Sequence, residues 1–159
     1  MSQILVASST WFHSLATVIL IGHYLLLGLI YIPALAVNDA ETPNYAGLSE
    51  ISKRSRTWMY VALLVFLITG VYLTLVDSNY LGIGNFSNPW AVLMLVKHLI
   101  VLAMIVAGFW FNAILRVGPL MRSNTGSVQA LKRFRQYANI MAFCGVLVLL
   151  LTAIAQIEQ

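Results

Sequence analysis

The stretch WAVLMLVKHLIVLAMIVAGFWFNAIL, residues 90–115, decides the fold. At about 1.5 Å of rise per residue it outspans a hydrocarbon core of about 30 Å. Apart from Lys97, His98 and Asn112 it offers lipid only apolar side chains. Residues 11–37, 57–76 and 137–156 share this character, and the four stretches take up most of a 159-residue chain. Composition agrees: 60% of residues are apolar and 9% charged, with a mean hydropathy of +0.87. A soluble domain carries about 25% charged residues, so a soluble globular fold is excluded. Cys144 is the lone cysteine, which excludes a scaffold stapled within the chain. Lipid accepts only helices or closed barrels, so the sequence predicts an all-α polytopic protein, a single four-helix membrane bundle over residues 1–159.

The net charge is +4 and the isoelectric point about 9.5, and the distribution of cations explains both without nucleic acid. Lys53, Arg54 and Arg56 precede the second span, and Arg116, Arg122, Lys132, Arg133 and Arg135 separate the third from the fourth. Only Lys97 falls inside a span. Short loops rich in Lys and Arg stay in the cytoplasm, which predicts both termini outside, in a cytoplasmic (inner) membrane. No Lys or Arg precedes Lys53, and the first apolar stretch exceeds a signal-peptide core, so it is read as a retained helix. In the outer loop SNYLGIGNFSNPW, Tyr80, Phe86 and Trp90 read as an interfacial aromatic belt, with Trp11 at the same interface. Asp39, Glu41 and Glu50 fall in a cytoplasmic loop, Asp77 at the outer edge and Glu158 in the tail. No carboxylate is therefore expected beside a histidine in the bundle, which argues against hydrolytic catalysis. Ala103, Ala107 and Gly108 on the third span, and Gly22, Gly28, Gly70 and Gly145 elsewhere, read as notches for close helix contact. The spans are expected to pair first with second and third with fourth.

Information lies in the residues that resist lipid: His13, His23, Lys97, His98, Asn112 and Cys144. An ionisable group near the bilayer centre costs about 2.5–3.5 kcal/mol on insertion scales. With Trp11 and Trp90 as markers of equal depth, His13 lies about 3 Å in, Lys97 about 10 Å, His98 about 12 Å and His23 about 18 Å. Lys97 either snorkels outward or holds an anionic group such as a haem propionate. Imidazole ligates both haem iron and copper. One reading holds haem b between the first and third spans, on His98 with His13 or His23. The other passes Cu(I) from His13 to soft donors, with Met94 and His98 at i, i+4 and Met141 and Cys144 at i, i+3.

The first span carries His13, Leu15, Ala16, Gly22, Pro33, Ala34 and Leu35 in order. The second carries Arg54, Arg56, Thr69 and Gly70, and the third Pro89, Trp90, Lys97, Asn112, Arg116 and Pro119. This order resembles the copper resistance D (CopD) membrane-domain family, whose relatives include HemJ-type protoporphyrinogen oxidases. The resemblance covers about residues 10–122 and is weaker over the fourth span. It departs from the HemJ pattern at Ala34, where those proteins carry Arg. The resemblance implies an integral membrane copper-handling protein, serving uptake, transit or resistance, with the copper association carried onto His13 and Lys97. The alternatives are a haem b redox protein, including a HemJ-like oxidase, and an accessory subunit of a larger membrane complex. Expected partners are the lipid bilayer, a periplasmic metal donor or a membrane complex, and a second copy of the chain.

Overall fold

The computed structural model describes residues 3–36, 45–82, 85, 87–114 and 127–157. Val37, Asp39, Glu41, Phe86, Leu115, Arg116, Pro119, Arg122 and Glu158 lie outside the described residues, as do the side chains of Leu35 and Asn112. Helix α1 (Gln3–Leu26) continues through a π turn (Leu27–Tyr31) into α2 (Ile32–Ala36). Helices α3 (Tyr45–Val76), α4 (Pro89–Ile114) and α5 (Ser127–Ile157) follow, with no strand among the described residues. Among the described residues, four stretches are long and apolar enough to cross a membrane: Gln3–Ala34, Lys53–Val76, Pro89–Trp110 and Lys132–Ile157. The fold is an all-α four-helix membrane bundle. Its first helix begins at Gln3 rather than Trp11, and Trp11 is 61% exposed on its flank.

Local chemistry accounts for the irregularities. Pro33 has no N–H and its ring crowds the carbonyl one turn earlier. The chain answers with a π turn just before it, in which the Ile32 N–H reaches the Leu27 carbonyl. At the start of α4 the Asn88 side chain accepts from the Ala91 N–H at 2.8 Å, and Pro89 takes the first helical position, where no N–H is needed. Trp90 follows and is only 3% exposed, with no hydrogen bond to its Nε1 among the described residues. It therefore packs inside the bundle instead of joining the aromatic belt expected of it.

Lipid removes the hydrophobic drive between helices, so close van der Waals packing must hold them together. Helix α1 packs against α3 and α5, α4 packs against α5, and α3 meets α4 only weakly. Along α5 the buried residues Phe134, Ala138, Met141, Gly145 and Val148 are spaced alternately by four and three, the spacing of a coiled-coil seam, and Ala142 and Ala155 are buried beside them. A Cβ on Gly145 would come 3.0 Å from Ile21 Cγ2, and one on Gly28 would come 2.6 Å from Asn139 Oδ1. These two glycines are the close contacts of α5 with the first span. Nothing lies within 4 Å of a Cβ on Gly22, so that expected notch is open. Lys53, Arg54, Arg56, Lys132, Arg133 and Arg135 are exposed at the N-terminal ends of α3 and α5, which connectivity puts at one end of the bundle. There Arg54 Nε donates to Glu50 Oε1 at 2.9 Å and holds that exposed carboxyl below its usual range.

Candidate functional site

Toward the end of the bundle away from the exposed cations, His13 of α1 leans on α3. Its ring stacks on Phe66 with centroids 4.4 Å apart, and its Nδ1 lies 2.9 Å from Thr69 Oγ1. Gly70 makes room, since a Cβ there would come 3.1 Å from His13 Cε1. The Thr69 hydroxyl donates to the Val65 carbonyl at 2.6 Å, so its oxygen can only accept from His13. This arrangement favours the His13 tautomer protonated on Nδ1, in which Nε2 carries the lone pair. Thr69 stood in the sequence pattern without a role; the pairing across the hairpin is what supplies one.

This contact also revises the depths. Thr69 lies seven residues inside Val76, the C-terminal end of α3, or about 10 Å, which puts His13 nearly level with Lys97. The two tryptophans are not equal-depth markers, because one flanks a helix already under way and the other is buried at a helix start. Lys97 and His98 lie close enough to His13 for their charges to act on it, and Asp77 acts in the same way on Lys97. An intramembrane cation thus finds an acidic counter-charge at the interface, as snorkelling requires.

His98 is exposed, and its Nδ1 lies 2.6 Å from the Met94 carbonyl one turn back. Cys144 is a half-buried free thiol on α5. No group of three His, Cys, Asp or Glu able to hold a metal occurs among the described residues, so His13, His98 and Cys144 do not gather into one.

Deeper in the bundle all four long helices surround a cavity of about 180 Å³. His23 lines it, but neither His13 nor His98 does. A porphyrin clasped by two histidines therefore has no pair of ligands on its walls, and cofactor pockets usually run to about 300–1,000 Å³. Tyr24 and Tyr137, their hydroxyl oxygens 3.3 Å apart, line the part of the cavity nearer the exposed cations, and Arg56 stands at that end. Met59, Met104 and Met141 also face it. Of these lining residues only His23 and Met141 are candidates by sequence alone, because methionine is a common gap filler.

Four packed helices, a polar group near one end and a cavity lined mainly by apolar side chains define a polytopic membrane protein. Residues 49–155 match the copper resistance protein D (CopD) family, and the chain belongs to that family. No curated protein and no solved structure matches it. The match takes in α5, where the sequence resemblance is weaker, and stops short of α1, where the opening motif lies. Met94, Lys97, His98 and Cys144 fall within the matched segment, whereas His13 and His23 lie outside it.

Proposed function

We propose that this chain handles copper at the cytoplasmic membrane, with both termini outside, taking the ion up near the outer end of the bundle and passing it inward. The observation that carries the reading is membership of the copper resistance protein D family over residues 49–155. Its chemistry begins at His13, whose Nε2 lone pair is left available by the Thr69 bond. Copper is here the cargo rather than a resident cofactor. Imidazole accepts it in either oxidation state, and thioethers retain it as Cu(I). Met94 and His98 on α4 are the next donors along the outer half, His98 through Nε2 because Nδ1 is held by the Met94 carbonyl.

The test is cellular copper content, read by elemental analysis in cells with and without the chain. Expression is expected to change copper content, and His13→Ala combined with His98→Ala is expected to abolish the change. Unchanged copper with the intact chain, at verified membrane levels, would overturn the reading.

A further inference from the structure

Resting on the copper reading, we infer that the central chamber is a Cu(I) site built from His23, Met59, Met104 and Met141, one donor from each long helix. All four side chains line the same cavity of about 180 Å³. Helix register brings them to a common level. His13 meets Thr69 and Gly70, and ten residues further inward on these antiparallel helices stand His23 and Met59. On α5, Ile21 meets Gly145 and Tyr24 meets Tyr137, so His23, between the first two, lies level with Met141, between their partners. Gly108 of α4 approaches Tyr137, and Met104 and Met141 each lie one turn outward of that contact.

A second observation marks His23 itself. Neither of its ring nitrogens makes a hydrogen bond among the described residues, and its one ring contact is an edge-on approach to Tyr24. The ring is half-buried and lines the cavity, so a nitrogen without a protein partner keeps its lone pair for an incoming ligand. The donor set also selects the ion. Three soft thioethers and a borderline imidazole make a neutral set, with no carboxylate among the described lining residues to offset a second charge. In low dielectric they suit a monovalent soft cation, Cu(I), over Cu(II), Zn(II) or a hard ion. Arg56 at the inner end is exposed, where solvent screens its charge.

The experiment uses the full chain in detergent, without oxygen, titrated with Cu(I) against a coloured Cu(I) chelator, and X-ray absorption on the loaded protein. One equivalent of Cu(I) is expected, with sulfur as the main scatterer and one imidazole. Met59→Leu, Met104→Leu, Met141→Leu and His23→Leu are each expected to weaken binding at least about tenfold. Met→Leu nearly conserves volume, and an unchanged thermal midpoint shows that each variant keeps its fold. Copper bound as tightly by the leucine variants, or with no sulfur around it, would overturn the chamber and leave the copper reading standing. Failure of the intact chain to hold any Cu(I) also overturns the chamber, while the cellular copper assay decides the wider reading on its own.

Discussion

Replacing Thr69 by Val would unlock the tautomer of His13 without touching its ring. In the intact protein the Thr69 hydroxyl proton goes to the Val65 carbonyl, and the oxygen accepts the Nδ1 proton at 2.9 Å. A hydrogen bond of this kind contributes about 0.5–1.5 kcal/mol net. At about 1.4 kcal/mol per decade, that is roughly a two- to twelvefold bias toward the Nδ1-protonated ring. Valine removes the acceptor, and the proton is free to move to Nε2, the nitrogen that copper would otherwise find bare. The cost to folding stays small because the ring relieves its unpaired donor by exchanging tautomers, and α3 keeps its own backbone bond at Val65. Thr69→Ser retains the acceptor and is expected to behave as the intact protein does. Nitrogen-15 shifts of the His13 ring, read by two-bond proton correlation in micelles, report the tautomer directly. A wild-type ring protonated on Nε2, or a Val variant with an unchanged tautomer ratio, would refute the reasoning.

Gly145→Ala drives a methyl to 3.0 Å from Ile21 Cγ2, on a side chain stiff at χ1, at an overpacking cost of about 1–3 kcal/mol against a helix-propensity gain of about 1. Gly28→Ala makes the shorter contact, 2.6 Å, but with the far end of an exposed Asn139 that can swing aside. Thermal midpoints in detergent are therefore expected to fall for Gly145→Ala and hold or rise for Gly28→Ala; the opposite order would mislocate the α1–α5 contact. Asn88→Ala removes the cap of α4 and is expected to lower stability by about 1 kcal/mol, read as a shift in the denaturation midpoint. Glu50→Gln removes a stabilisation that exists above the ordinary carboxylate pKa and fades as pH falls through the lowered one. The variant and the intact chain are therefore expected to converge in acid, with a small difference near neutrality because the pair is exposed.

What could be read from the sequence, and what could not, divides along a physical line. Bilayer thickness dictates length and apolarity, so the four spans were legible, whereas the helices extend beyond them at Gln3, Tyr45 and Ser127, where apolarity no longer marks their ends. Which face a residue takes is a different kind of information. Gly22 and Gly145 look alike on paper, yet only one meets a neighbour, because that depends on how two helices slide against each other. Trp90 has the composition of an interfacial anchor and the burial of a core residue. The same limit governs the site. His13 and His23 stood out as single polar residues in apolar stretches, whereas Met59 and Met104 are ordinary until register is known. One contact supplies that register: a histidine resting on Thr69 and Gly70 fixes α1 against α3. Ten residues further in, the same alignment carries His23 to Met59, from a helix outside the family match to one within it. The outer polar group and the inner chamber are thus two ends of a single alignment. A substitution that shifts the His13 contact would be expected to misalign the thioethers below it as well.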